Sequence, residues 1–399
     1  MSQDPKLTTL GKIVVVLFMV VCSAVAYVSW RGGLDTTLAE LRGHPGAASA
    51  PRQGGASVEI GFAYGTEKRP WVEWAVKQFA ATPGGAGVTV KGHPMGSMEG
   101  AQALLRGEES IHLWSPASSV YTATFTQDWL VKNGKPPFVR QEDVAMTPMV
   151  FVLWEERYQA FVRRYGAVSF ETLRQALQEG GGWKTIAGKP EWGLFKLGHT
   201  HPAESNSGLL TLVAMAYEKR QKCRGLELAD ILEPGFQTWL GQLERGVLGL
   251  SNSTGTMMRE MVLKGPSAFD ALFVYESVAI EYLASAEGRW GSLHVVYPER
   301  IQWNENPCYV MDAPWSSAAQ RQAASAFLDF LLTEPAQKEA LVHGFRPVNL
   351  GVTVKSPDSP FLKAARYGVQ AEIGSSCEPP TAEVSANLLA LWQRQLSSK

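Results

Sequence analysis

The chain has 399 residues and a formal net charge of -1, with 37 Lys and Arg against 38 Asp and Glu scattered along it. That balance excludes the basic face or charge block expected of a nucleic-acid-binding protein. Four cysteines with no CxxC pair and no Cys/His cluster give no zinc-site signature.

Ile13 to Trp30 is an uncharged apolar run flanked by Lys6, Lys12 and Arg31. Its roughly 18 residues would rise about 27 Å as a helix, enough to cross a bilayer core. Ala24-Val25-Ala26 also fits a signal cleavage site, and both readings export the rest of the chain. Continuation through Tyr27, Val28 and Trp30 favours a retained anchor, while Met19-Val20-Val21 lacks the small residues that lipidation of Cys22 would need. The anchor or signal segment is assigned to residues 1–31. Residues 32–57, rich in Gly, Ala, Pro and Ser, read as a tether.

The remaining residues, roughly 340, exceed what one core usually organises, so two lobes are expected. Val58 to Tyr64 reads as a buried strand, Pro70 to Ala81 as a helix, Val88 to Lys91 as a strand, Met98 to Arg106 as a helix and Ile111 to Trp114 as a third strand. This alternation predicts an α/β lobe with a mostly parallel sheet. Val144 to Trp154, a long apolar strand broken at Thr147-Pro148, serves as a crossover.

A second alternating series comes next: helix Phe170 to Gln178, strand Trp192 to Leu197, helices Ser207 to Arg220, Gly235 to Arg245 and Thr254 to Lys264, and strand Phe269 to Tyr275. Strands Leu293 to Tyr297 and Cys308 to Met311 lead back to the first lobe, followed by helices Ser317 to Leu332 and Pro335 to His343. Residues 58–147 plus 293–399 thus form lobe 1 and 148–292 lobe 2, joined by a hinge of two crossings. Cys223, Cys308 and Cys377 lie in an oxidising compartment, and Cys308 with Cys377 is the favoured pairing, although sequence does not fix connectivity.

Candidate binding residues cluster where strands end and helices begin, the position at which open α/β sheets place ligands. They are Thr66 after the first strand, Ser115, Ser118 and Ser119 after the third, and Ser205, Asn206 and Ser207 ahead of an apolar helix. A helix start offers about four unpaired backbone N–H groups and a partial positive charge, which suits an anion without any cationic side chain. Ser207 carries most weight, because Gly208 beside it permits close backbone approach to a ligand. Ser253, Thr254 and Thr256 read as caps of a further helix.

Tyr275 ends an apolar strand and can donate into a cleft. Glu276 beside it would repel a fully ionised oxyanion, favouring a protonated oxyanion, a metal complex or an amine-bearing solute; its alternative place is the first turn of the next helix. Arg346 is assigned a structural salt bridge. The His199/His201 pair lacks a third histidine at ligand spacing, so no metal and no cofactor is expected.

The loops Phe62 to Lys68, Trp114 to Ser119, Gly198 to Gly208 and Phe273 to Ser277, with Met311-Asp312-Ala313-Pro314-Trp315, Phe327 to Leu331 and Gly344-Phe345-Arg346-Pro347-Val348, resemble in their order the bacterial extracellular solute-binding proteins, in the group that includes molybdate-type and phosphate-type members. The resemblance implies a two-lobed, hinged α/β fold of the periplasmic-binding-protein kind, closing over a small-molecule or anion ligand and delivering it to a membrane permease. No G-x-S-x-G elbow, P-loop, dinucleotide fingerprint or HExxH points to an enzyme. The rival readings are a membrane-tethered sensory or scaffold protein on the same fold, and an exported hydrolase, which would need a histidine against Ser115, Ser118 or Ser207.

Overall fold

A computed structural model describes residues 57–397 apart from 375. The apolar run and nearly all of the tether lie outside the described residues. Among the described residues no helix is long and apolar enough to cross a membrane.

The first lobe begins with β1 (Val58–Tyr64), whose last five residues are buried. Helix α1 (Arg69–Phe79) has Pro70 in its first turn and turns Trp71, Val72, Ala75 and Phe79 inward. Then come β2 (Val88–Pro94), α2 (Ser97–Arg106), β3 (Leu113–Ser115), α3 (Thr122–Asn133) and β4 (Phe138–Asp143). Helix α2 ends at Gly107, whose φ of 91° closes the helix in the left-handed region that a side chain would strain.

The chain crosses into the second lobe through Val144–Met146 and enters β5 (Thr147–Trp154), a strand with every residue buried. Such a continuous run marks a central strand covered on both faces. Next along the chain are α4 (Glu155–Tyr165), α5 (Phe170–Gln178), α6 (Trp183–Ala187), β6 (Leu197–Gly198), α7 (Asn206–Arg220), α8 (Leu228–Leu232), α9 (Pro234–Glu244), α10 (Thr254–Lys264), β7 (Ala271–Tyr275), α11 (Glu276–Glu287), β8 (Leu293–Val296) and β9 (Trp303–Asn304). Helix α7 is buried without interruption from Asn206 to Tyr217, so it lies in the middle of this lobe and its N-terminus faces protein rather than solvent.

After β9 the chain returns to the first lobe as β10 (Pro307–Met311), α12 (Ala318–Leu331) and α13 (Glu334–Val342), and ends with α14 (Pro360–Lys363) and α15 (Ala382–Ser397).

The first sheet runs β2-β1-β3-β10-β4 and the second β6-β7-β5-β8. Only β1–β2, β1–β3 and β6–β7 pair in parallel; β10 is antiparallel to β3 and β4, and β5 to β7 and β8. Both sheets are therefore mixed, against the expectation of a mostly parallel sheet in the first lobe, because a strand delivered by a crossing from the other lobe enters against its neighbours.

Four further expectations differ from the structure. Of Trp192 to Leu197 only Leu197 is in a strand, the start of β6: a 3-10 turn covers Pro190–Trp192, Gly193 breaks the chain at φ 73°, and the Arg157 guanidinium lies 3.4 Å over the Trp192 ring. Leu293 to Tyr297 does not lead into the first sheet, since β8 pairs along β5 with Phe151 opposite Val296. The tail also departs from the first lobe: Phe345 packs in the first sheet's core, whereas Val352, Tyr367, Val384 and Trp392 join the second sheet's core. The hinge thus has a third crossing, between Phe345 and Val352. Finally, Cys377 is bonded to Cys223, not Cys308, which is held in the middle of β10 in the other lobe.

Candidate functional site

Four strand or loop ends meet between the lobes. Tyr64, the end of β1, lies in register with Ser115 at the end of β3, and Gly65 N–H donates to Ser115 O at 3.1 Å. The next residues form a 3-10 turn, Thr66–Lys68. Thr66 itself is exposed and lines a cavity of about 320 Å³, shared by Met95, Glu99 and Gln102 of the first lobe with Glu204 and Ser253 of the second.

A separate group of buried polar side chains, none of which lines that cavity, also joins the two lobes. Ser118 caps the 3-10 turn Ser119–Tyr121 and also donates its hydroxyl to Asn206 Oδ1 at 2.7 Å, a direct bond between the lobes. Asn206 Nδ2 in turn donates to the Tyr275 hydroxyl at 3.0 Å and to Asn304 Oδ1 at 2.9 Å, and Asn304 Nδ2 donates to Thr147 O at 3.0 Å. One amide therefore joins the first lobe, the end of β7 and the hinge pairing of β5 with β9. Asn206 and Ser207 are the first two residues of α7, where backbone N–H groups lack intrahelical acceptors.

Ser207 is the hub of a hydroxyl cluster, 2.6 Å from Thr200 Oγ1, 3.1 Å from Ser205 Oγ and 2.6 Å from Thr254 Oγ1. The expectation that Gly208 makes room for a ligand is corrected: a Cβ there would meet Thr200 O at 2.4 Å, so the glycine admits the chain's own loop. Ser253 caps α10, accepting from Thr256 N–H.

Ser115 is fully buried and its hydroxyl has no partner; the same holds for the Tyr121 hydroxyl. Ser119 has no side-chain bond to the network. Its N–H donates to Glu305 at 2.8 Å, and it lines a separate cavity of about 180 Å³ with Trp303 and Cys377, a cavity that Ser118 also lines.

Glu276 is also corrected. Its carboxylate is buried and taken by Arg346, with Nε to Oε2 and Nη2 to Oε1 both at 2.7 Å, and by the Tyr297 hydroxyl. It opens the first turn of α11, and a carboxylate so engaged has no part to play against a ligand. Arg346 holds the structural role assigned to it.

The buried network offers no free cation, while the 320 Å³ cavity carries the Glu99 and Glu204 carboxylates. Lys68, fully buried, donates its ammonium to Asn306 Oδ1 at 2.8 Å, Glu67 at 3.0 Å and Pro116 O at 3.2 Å, leaving no proton for a ligand. Burial raises the Tyr275 phenol well above its ordinary value, and the nearby Glu67 and Tyr121 add to this, so it stays protonated. Burial likewise raises Tyr121. The buried hydroxyls and amides can donate to an acceptor-bearing solute.

His199 is buried between Glu244 Oε1, 3.1 Å from its Nε2, and Thr200 O, 2.8 Å from its Nδ1. His201 accepts from Ala203 N–H at 3.2 Å. Among the described residues no three His, Cys, Asp or Glu side chains gather as for a metal. The Ser118 hydroxyl is bonded to the Asn206 amide oxygen and the Val120 N–H, and the Ser207 hydroxyl to three other hydroxyls, with no imidazole on either.

Sequence reasoning missed Lys68, Tyr121, Asn304 and Asn306 as site residues. Lys68 had a signal in its position one turn after β1. The two asparagines had only the polar run Asn304-Glu305-Asn306 ahead of a proline.

The model of the bacterial extracellular solute-binding protein family matches residues 60–346, and the chain belongs to that family. No curated protein matches the sequence. Similar solved structures include the sulfate-binding protein SubI from Mycobacterium tuberculosis H37Rv, with TM-score 0.52, 20% identity, and coverage of 79% of this chain and 93% of that one. Iron-bound HitA from Pseudomonas aeruginosa gives TM-score 0.56 at 14% identity over 85% and 99% of the two chains. A periplasmic thiamin binding protein gives 0.60 at 12% identity over 88% and 99%. At these identities the likeness shows the two-lobed fold.

Proposed function

We propose that this chain captures a small polar solute, a compact oxyanion, between its lobes on the extracytoplasmic side of the membrane and hands it to a membrane permease. The observation that carries the reading is the bond from Ser118 to Asn206 Oδ1, set at the first turn of α7 among neutral hydroxyls. A solute offering acceptor oxygens can replace that amide oxygen and gain donors from both lobes at once, and contacts to both lobes are what select a closed state. Since Lys68 has no proton to spare, an anion would be held by hydroxyls and helix-start N–H groups, as the helix dipole permits.

The similar structures bind sulfate, iron and thiamin by their descriptions, so fold alone does not choose among solutes. The neutral donor set is what supports the oxyanion. The Cys223–Cys377 disulfide supports an oxidising compartment, and the Ile13 to Trp30 run supports tethering to the membrane.

Thermal denaturation of the purified protein with sulfate, phosphate, molybdate, thiamin and ferric citrate tests the reading. A ligand that binds only the folded state at about 100 times its Kd adds about 2.7 kcal/mol. Stabilisation by an oxyanion that the Ser118→Ala variant loses is the expected result. Stabilisation by none of the five removes the assignment.

A further inference from the structure

The cavity of about 180 Å³ lies where the segments joining the lobes gather, and it shares no lining residue with the 320 Å³ cavity. Val120 comes to it from the first lobe and Leu210 from α7 of the second; Met146 lies in the first crossing, Trp303 and Glu305 in the return, and Cys377 in the tail beyond the third. One polar group of this lining is unpaired. Gln302 is 3% exposed, and its amide nitrogen has no hydrogen-bond partner in the protein. Buried donors are almost always paired, so a donor left over on a cavity wall calls for an acceptor on a molecule bound there. Glu305 sets a second requirement. One of its oxygens accepts from Ser119 N–H at 2.8 Å, and a carboxylate has lone pairs for further donors. Burial, and then the charges of Glu305 and Glu142, raise the Asp143 carboxyl above its ordinary value, a mark of negative potential beside this wall that disfavours an anion.

We infer that this cavity is a second binding site, for a compact uncharged molecule carrying a primary carboxamide on an apolar ring, and that its occupant restrains the hinge. The carbonyl oxygen accepts from Gln302, the amide nitrogen donates to Glu305, and the ring lies against Val120, Leu210 and Trp303. An apolar cavity of about 150 Å³ admits benzene, so this volume suits a single six-membered ring with its substituent. The walls belong to both lobes and to the passages between them, and Ser118, bonded to Asn206 across the lobes, borders the same space. A bound molecule therefore favours one arrangement of the lobes over others, and differential affinity of that kind is what couples two sites. Neither Gln302 nor Glu305 is among the side chains proposed to meet the captured solute, so the two sites stand or fail separately.

Benzamide is the probe, titrated into the full-length protein labelled with fluorotryptophan and followed by fluorine NMR, with Trp303→Phe assigning the Trp303 resonance. Benzamide is expected to shift that resonance, and Gln302→Met to weaken its binding by roughly 2-fold to 13-fold, the loss of one neutral hydrogen bond. Two analogues test the same contacts without altering the protein: benzoate, which Glu305 repels, and N,N-dimethylbenzamide, which has no donor for it, should both bind more weakly. Saturation with benzamide should also slow backbone amide exchange at 144–147 and 303–306. No shift of the Trp303 resonance, the result of a cavity that takes only ordered water, overturns the site. A shift that benzoate or N,N-dimethylbenzamide reproduces at the same concentration overturns the roles of Gln302 and Glu305, and binding with unchanged exchange in both crossings overturns the restraint on the hinge.

Discussion

Replacing Arg346 by alanine should destabilise the protein far more than the loss of an exposed arginine would. Arg346 makes two 2.7 Å bonds to the buried Glu276 carboxylate and donates to Gln370 O at 2.6 Å and Ala371 O at 2.8 Å. Removing one member of such a pair leaves an uncompensated buried charge, at a cost of about 3–5 kcal/mol. With about 2.1 cal/mol/K of unfolding entropy per residue over about 340 residues, the melting temperature should fall by roughly 4–7 °C.

The loss should depend on pH, and its sign comes from the carboxylate. Burial raises the Glu276 pKa above its ordinary value, and Arg346 is the main group opposing that rise. Without Arg346 the folded-state pKa moves further up. A carboxyl with a raised folded pKa contributes stability below its unfolded pKa of about 4.3 and loses it as pH rises through the folded value. The deficit of Arg346→Ala relative to the parent should therefore be smallest near pH 4 and grow toward neutrality, while Glu276→Gln combined with Arg346→Ala should be nearly flat. Calorimetric melting from pH 4 to 8 measures both. A deficit below about 1 kcal/mol at pH 7, or one independent of pH in the single variant, would refute the reasoning, since it is the size expected of an exposed pair.

Three other outcomes derive from the same geometry. Ser207→Ala removes the hub of the hydroxyl cluster and strands the Thr200 and Thr254 hydroxyls, so ligand-free urea unfolding should report a loss of about 1–3 kcal/mol; no loss would show that the cluster is not a unit. Cys377→Ser opens the link across a sequence separation of 154 residues and should cost about 2–5 kcal/mol, whereas Cys308, whose thiol burial pushes up to about 12, should react with a thiol reagent only on unfolding. For His199, burial lowers the pKa, but the Glu244 charge and hydrogen bond with the Thr200 carbonyl outweigh it and the net shift is upward. Its stabilising contribution is then complete below the unfolded value of about 6.5 and lost as pH rises through the folded pKa, a step that should vanish from the stability profile of His199→Gln.

What was legible in the sequence was what local chemistry specifies. Helices α5 and α10 have the predicted bounds because each begins after a serine that caps it, Ser169 and Ser253. The α7 start was legible for a related reason: Ser205-Asn206-Ser207-Gly208 precedes a long apolar run, and the burial of that run fixes where the N-terminus points. Helix α4 escaped notice because its Glu-Glu-Arg and Arg-Arg ends leave Ala160 and Phe161 as its main buried apolar residues, too few to set a period. Disulfide choice escaped for want of geometry. Cys377 and Cys223 are brought together by Cys377 N–H donating to Ile301 O and Glu378 N–H to Cys223 O, contacts that spacing does not encode.

Glu276 shows why site residues are harder to read than elements. Its position next to Tyr275 was correctly seen, but its partner lies 70 residues away at the third crossing, where Arg346 bridges Met146 in the first crossing. The pair therefore fixes the start of α11, and with it Tyr275 at the preceding position, to two of the three passages between the lobes. Asn306, at φ 44°, binds Lys68 on one side and the Ala145 and Asn304 carbonyls on the other, fixing the remaining passage to the first. On the proposed function, Tyr275 and Asn304 are thus attached to the segments that pass between the lobes, where a rotation of one lobe against the other would displace them least. Glu276, read from sequence as a ligand contact, on these grounds supports Tyr275, and its removal should disturb the placement of Tyr275 before that of Asn206 or Ser118.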